Sequence, residues 1–323
     1  YTGLGAERVQ RVPSDEQGRI LPEAFAQVLA SVSGPVLVIL QAGQINSGAF
    51  DPFDVIVPMA KAKGAWVHVD GAFGLWLAAV PELQPRLAGV EKADSWAVDL
   101  HKWLNAPFDA GMVIVRDRAP LVASMSARGA YLPETTAHWE PSDSVFELSR
   151  RARGVHSYAI LRHLGRNGVR ELVTRHCALA DMLAERIAAV PGLAVLNDVV
   201  SNQVAICCGD GDGGDAQTNQ VLKIVQERGK VYPSHGHWQG REIIRASIIG
   251  YATQTEHVEL LRIWSSRFNQ TMVRYTLLKM SVLISQKVIS SVSSAPPAVA
   301  KPPSCAVSRG LKRRRAARLP SMA

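Results

Sequence analysis

Four short apolar runs constrain the fold most: "GPVLVILQAG" (34–43), "AWVHVDGAFG" (65–74), "SWAVDLHK" (95–102) and "AGMVIVRD" (110–117). Each is rich in β-prone residues and bounded by Gly or charged residues, so each reads as a strand. Between the first two lies "DPFDVIVPMAKAKG" (51–64), which predicts a helix with Asp51 as N-cap and Pro52 at its first position. Strands alternating with helical or looping segments predict an α/β fold, a mostly parallel sheet covered on both faces.

After residue 145 the texture changes. The stretch from "SVFELSRRARGVHSYAI" to "ERIAAVPG" predicts two or three amphipathic helices punctuated by Gly165, Gly168 and Gly192. A strand and polar turn in "VSNQVAICCGDGDGG", a helix at 217–228 and a strand in "REIIRASIIGYAT" complete a small α+β pattern. The expected division is a partial large domain over 1–145, a small C-terminal domain over 146–267 and a tail over 268–323. The tail is Ser/Pro/Ala-rich and then basic, the composition of a disordered segment.

The net charge of +8 misleads, because residues 270–323 hold ten Lys/Arg and no Asp/Glu. That leaves 26 basic against 28 acidic side chains in residues 1–269. The body therefore has no basic surplus to suggest a nucleic-acid partner, and "LKRRRAAR" (311–318) reads as a solvated tail. Lys279 and Lys287 interrupt the apolar run 274–294, which argues against a membrane span. Four cysteines without a C-x-x-C pair read as reduced thiols, and a cytoplasmic location is expected. The chain opens on Tyr1 with no signal-like segment and reads as a fragment or processed product.

Two residues carry the chemistry. Asp70 ends the apolar strand "WVHVD", where parallel sheets present functional side chains. Lys102 ends a later strand 32 residues on, so both can converge on one crevice, with the small turn Gly71–Ala72 between them. A carboxylate and a lysine at a flat apolar slot suit pyridoxal phosphate: the lysine forms the Schiff base and the carboxylate keeps the pyridine nitrogen protonated. Apolar neighbours would favour the neutral amine. Spacing alone leaves open a plain Asp–Lys ion pair.

The segment 68–117 closely resembles the group II pyridoxal-phosphate-dependent amino acid decarboxylases. It carries an Asp-x-Ala turn (Asp70–Ala72), an Ala-Asp-Ser segment (Ala93–Ser95) and His-Lys-Trp (His101–Trp103). The likeness continues through "AGQINSGAFDPFD", "ELSRRARGVHSYAILRHLGRNG", "NQVAICC" and "GREIIRASIIGYATQTEHVE", about residues 1–262. It implies the fold type I, aspartate-aminotransferase-like architecture, built as a homodimer with active sites at the subunit interface. The implied reaction is decarboxylation of an amino acid with pyridoxal 5'-phosphate as cofactor and no metal. Other reactions on the same scaffold, transamination or carbon–carbon lysis, stay open, as does a catalytically inactive truncated homologue.

By residue, the resemblance implies Lys102 as the Schiff-base lysine, Asp70 as partner of the ring nitrogen, Ala72 against the ring face and His101 near phosphate or substrate. Gln44 matches a cofactor-touching position. Arg245, in "GR-x-x-x-R-x-S", falls where fold type I enzymes bind a substrate carboxylate, a duty that suits a guanidinium. Arg150 and Arg151 match a structural or interface pair. Asp99 stands where some relatives carry Asn close to the phosphate, an unhelpful charge unless it points away or a cation screens it. The family's phosphate loop and ring-stacking His lie upstream of a segment like "YTGLGAERV", with which this sequence begins. Tyr131 and His138 are the candidates of the loop that carries a proton donor, neither at a firm match. "GDGDGGD" (209–215) reads as a flexible hairpin rather than a calcium loop, and "SHGHW" (234–238) as a loop bordering the site. His156, His163 and His176 read as surface or packing residues.

Overall fold

The computed structural model describes residues 5–126, 140–209 and 212–267. Tyr131, His138 and the basic tail lie outside the described residues. The four apolar runs form one sheet, β1 (Leu37–Gln41), β2 (Trp66–Asp70), β3 (Ser95–Asp99) and β4 (Gly111–Val115), in the order β1-β2-β3-β4. β1, β2 and β3 pair in parallel, while β4 runs antiparallel to β3. The link between β3 and β4 is too short for a crossover, so the chain must turn back.

One face of this sheet makes the main core. Val38, Leu40, Val67 and Val69 pack with Phe25 and Leu29 of α1 (Pro22–Ser31) and with Phe53, Ile56, Val57 and Ala60 of α2 (Phe53–Ala62). The other face departs from expectation: on β1, Leu37 and Ile39 remain 48% and 58% exposed, and among the described residues nothing buries them. The expected cap of α2 is also corrected. Pro52 is the N-cap, and Asp51 is buried and turned away from the helix. Its Oδ1 accepts from Ile20 N at 2.8 Å and its Oδ2 from Gln41 N at 2.7 Å. It thereby ties the N-terminal segment to the end of β1. Burial raises the Asp51 carboxyl pKa, while the two N–H donors oppose the rise.

After a short α3 (Arg118–Met125), the predicted helices 153–188 form α4 (Arg153–Ala188), broken at Gly165 by φ 61° and ψ −175°. Beyond the break, Val169, Leu172, Val173, His176, Ala180, Leu183 and Ile187 are buried at three- and four-residue intervals, one continuous apolar face. His176 is thus a packing residue. A second sheet, all antiparallel, holds β5 (Leu193–Val195), β6 (Gln203–Cys208), β7 (Ser234–Trp238) and β8 (Arg241–Ser247) in the order β5-β6-β8-β7. It packs on α4, on α5 (Asp212–Glu227) and on Val258 and Leu261 of the helix 255–267.

Two expected loops hold regular structure, one in part and one throughout. The end of "GDGDGGD" opens α5, and a Cβ on Gly214 would lie 2.4 Å from the Cys208 carbonyl oxygen. Gly214 there serves close packing. "SHGHW" is β7, an edge strand paired to β8. His235 and His237 fall on one side of it and both meet Glu242 across the pair, His237 Nδ1 at 3.0 Å. Replacing Asp51 with Ala leaves two part-buried N–H groups without their acceptors and should cost about 1–3 kcal/mol in urea unfolding. Asp51→Asn, which keeps one carbonyl oxygen, should lose less, and equal losses would show that the two bonds do not matter.

Candidate active site

The carboxyl ends of β1, β2 and β3 form one rim. Gln41, Asp70 and Ala97 are neighbours in register across it. Gly71 N donates to Ala97 O at 2.9 Å, and a Cβ on Gly71 would meet Leu75 Cβ at 2.6 Å, so the turn after β2 needs glycine for closure. Asp70 Oδ1 accepts from Ala72 N at 3.1 Å, and Ala72 O accepts from Asp99 N at 2.9 Å. Asp99 Oδ2 in turn meets Lys102 Nζ at 2.8 Å. A chain of short contacts therefore runs from Asp70 through Ala72 and Asp99 to Lys102.

Lys102 lies three residues beyond the end of β3, not on the strand. Leu100, Trp103 and Leu104 turn into the core and leave His101 and Lys102 facing outward. Leu100 N and His101 N both donate to Ala110 O, at 2.9 and 3.1 Å, and Asn105 N donates to Lys102 O at 3.1 Å. His101 Nδ1 lies 2.7 Å from the same Ala110 oxygen, which fixes Nδ1 as the protonated nitrogen. His101 Nε2 is then left 4.0 Å from Asp99 Oδ2.

This corrects the expected setting of the lysine. Its side chain is 39% exposed and paired with Asp99 rather than sheathed in apolar groups. Trp103 instead buries itself behind the turn and donates its indole N–H to His176 Nδ1 at 2.9 Å. No ion pair joins Asp70 to Lys102 among the described residues. Asp99 carries a screening cation of its own, Lys102.

Behind Asp70 stands a layer that sequence reasoning passed over. His68 lies on the same face of β2, and its Nδ1 is 2.8 Å from Ser95 Oγ, which also accepts from Trp66 Nε1 at 2.9 Å. Burial lowers the His68 pKa, against the pull of the Asp70 charge. The two-residue spacing of His68 and Asp70 was the available signal. The Ala-Asp-Ser segment serves the sheet: buried Asp94 accepts from Val67 N at 2.8 Å and pairs with Lys61 at 2.7 Å.

Gln44 follows β1, but its Oε1 accepts from Asn46 N and Ser47 N at 2.6 and 2.9 Å, closing the turn 44–48. Arg245, on β8, reaches that turn from the second sheet. Its Nε donates to Ser234 Oγ at 2.9 Å and its Nη1 to Ile45 O at 3.3 Å. Burial lowers its pKa, and it has no carboxylate partner among the described residues. No hydrogen bond or ion pair joins Arg245 to Lys102 or Asp70 there. Arg153 and Arg151 both bind Asp109, at 2.8 and 2.9 Å, and the Arg153 hydrogen bond foremost holds its carboxyl down to about 2. This is a structural clamp beside the lysine turn. Among the described residues, no group of three His, Cys, Asp or Glu is arranged to hold a metal ion.

A family model described as the pyridoxal-dependent decarboxylase conserved domain matches residues 2–207. The chain belongs to that family. Among curated relatives, it is 28% identical over 281 residues to 3,4-dihydroxyphenylacetaldehyde synthase of Aedes aegypti, covering 83% of this chain and 52% of the relative. It is 27% identical to the aromatic-L-amino-acid decarboxylase of Drosophila lebanonensis, covering 79% and 64%. The chain thus spans roughly half to two-thirds of the length of these relatives. Oryza sativa TDC, solved with PLP and tryptamine, superposes with a TM-score of 0.77 at 22% identity, over 84% of this chain and 59% of that one. Mouse CSAD in apo form gives 0.74 at 23% identity, over 83% and 60%. The fold is the expected fold type I α/β architecture.

The Trp103–His176 bond makes a pH prediction. His176 is fully buried, its Nε2 meets Gly250 O at 3.0 Å, and burial lowers its pKa to about 4, with the Arg175 charge adding to the drop. A depressed histidine stabilises the fold fully above its unfolded value near 6.5. Stability is then lost as pH falls toward 4, by up to about 3 kcal/mol. Urea midpoints between pH 7 and pH 4 should fall accordingly, and His176→Gln should flatten the dependence.

Proposed function

We propose that this chain carries the lysine- and carboxylate-bearing part of a pyridoxal-5'-phosphate-dependent amino acid decarboxylase, a carboxy-lyase. The observation that supports it is the run Asp70–Ala72–Asp99–Lys102 along one sheet rim, in a chain of the pyridoxal-dependent family. The residues fit the cofactor: an amine for its aldehyde, and a carboxylate with one oxygen not engaged by Ala72 for its ring nitrogen. When bound, pyridoxal 5'-phosphate supplies that aldehyde and an electron-accepting pyridinium.

In this reading Lys102 would hold the cofactor covalently between turnovers and would be the free amine only while substrate takes its place. Asp70 keeps the ring nitrogen charged, and its bond from Ala72 N fixes the carboxylate plane. Ala72 offers a side chain small enough to lie beneath a flat ring. His101, oriented by Ala110 O, faces the phosphate or substrate with Nε2. Gln44 borders the cofactor through its turn. Arg245 binds a substrate carboxylate, which would supply the counter-charge that it lacks. We further infer a cytoplasmic homodimer acting in amino acid metabolism. Exposed Phe108, Phe146, Val155 and Tyr158 are apolar surface of the kind that a second subunit covers. Among the described residues no helix is long and apolar enough to cross a membrane.

A second reading follows from the mosquito relative, named a synthase of an aldehyde rather than a decarboxylase. The same residues could then serve a different outcome with an amino acid. Incubation with aromatic and acidic amino acids, measuring CO₂ and aldehyde together, separates the two. Borohydride reduction with pyridoxal 5'-phosphate, followed by peptide mapping, should place the cofactor on Lys102. Lys102→Ala should abolish both this label and CO₂ release, and labelling elsewhere would sink the assignment. Arg245→Ala should raise KM for the amino acid about tenfold or more with a smaller change in kcat.

A further inference from the structure

Asp99 is the contact that distinguishes this lysine from a bare amine. Its Oδ2 is 2.8 Å from Lys102 Nζ and 4.0 Å from His101 Nε2. Its Oδ1 faces Gly111, where even an added Cβ would stand 3.7 Å away. Its backbone N–H is already given to Ala72 O, so the strand end fixes where the carboxylate stands. Both side chains of the pair are only partly exposed, Lys102 at 39% and Asp99 at 31%.

An ammonium ion has no lone pair to give to a carbonyl carbon. Condensation with an aldehyde forms a C=N bond to Nζ and breaks the carbonyl C–O bond. The oxygen leaves as water with two of the ammonium's three protons, and the third passes to Asp99 or solvent. The ion pair must open before any of this starts. We propose that Asp99 is a positioning residue that holds Lys102 aimed against the rim, restraining its reaction with an aldehyde until the pair separates. The inference rests on the reading of Lys102 as the aldehyde-holding amine. It acts on the lysine itself, so it applies to an aldehyde with or without a phosphate.

The test uses two probes on the full chain, pyridoxal 5'-phosphate and phosphate-free pyridoxal, each trapped by borohydride at early times. Label on the peptide holding Lys102 is counted against label on exposed Lys63 as internal reference. Asp99→Asn, and Asp99→Ser as the second variant, should label Lys102 about two- to fivefold faster with both probes, the factor such an exposed pair supplies. Asp99→Glu should stay near the native rate, which a merely structural role for the side chain would not require. Native rates in Asn and Ser variants that melt like the native chain would overturn the inference while leaving Lys102 as the reactive amine. Acceleration with pyridoxal 5'-phosphate alone would also overturn it, because Asp99 would then act on the phosphate. Absence of Lys102 label in every chain would overturn the underlying reading as well.

Discussion

The lysine turn depends on Trp103. Its side chain is 1% exposed, and its indole N–H donates to a histidine that is itself wholly buried. His176 relays the contact to Gly250 O, and Asn105 adds bonds to Ile249 O at 2.7 Å and from Tyr251 N at 3.2 Å. Three separate stretches, the turn after β3, the middle of α4 and the segment after β8, are thereby fixed to one another. A buried aromatic side chain contributes several kcal/mol through area alone (roughly 3–5 on truncation). Its polar edge adds direction to that bulk. With Leu100, Trp103 and Leu104 all turned inward, His101 and Lys102 are what the turn leaves at the surface, so the placement of Lys102 follows from the packing on either side of it.

The rim is consequently an electrostatic arrangement more than an apolar slot. Asp70, Asp99, His101 and Lys102 crowd one end of two strands, and each acid is oriented by a backbone N–H: Ala72 N for the Asp70 carboxylate, and Asp99's own N–H through Ala72 O. A shared backbone carbonyl and amide, those of Ala72, connect the two acids. Movement of one would be felt by the other through a single residue.

Much of this could be read from the chain. Four β-rich runs became four strands, and the carboxyl-end position of Asp70 followed from the polarity of a parallel sheet. Legibility failed where a third group decides. Which carboxylate Lys102 meets depends on the turn 100–106, whose shape comes from Trp103 and Asn105 finding partners some 70 and 144 residues away. The glycines at 213–214 looked like a loop because local propensity disfavours a helix there. Close packing against Cys208 O and the Arg241–Asp215 pair at 2.9 Å prevail over it. "SHGHW" has period-two alternation too short and too polar to announce a strand, and β8 supplies the ladder that makes it one.

Four aspartates near strand ends show how burial sorts chemistry that sequence leaves mixed. Asp51 and Asp94 are 5% and 9% exposed, and each spends both oxygens inside the protein. Asp51 accepts two backbone N–H groups, and Asp94 accepts one while pairing with Lys61. With no oxygen left over, neither can serve a ligand without breaking the sheet it supports. Asp70 and Asp99 lie at the open ends of the strands, where one oxygen of each takes a backbone bond or the Lys102 ion pair. A buried carboxylate is tolerable only when its lone pairs are met, so the satisfied pair is structural by necessity. The other two are tolerated because they lie at solvent-accessible strand ends, where the backbone and Lys102 already set their direction.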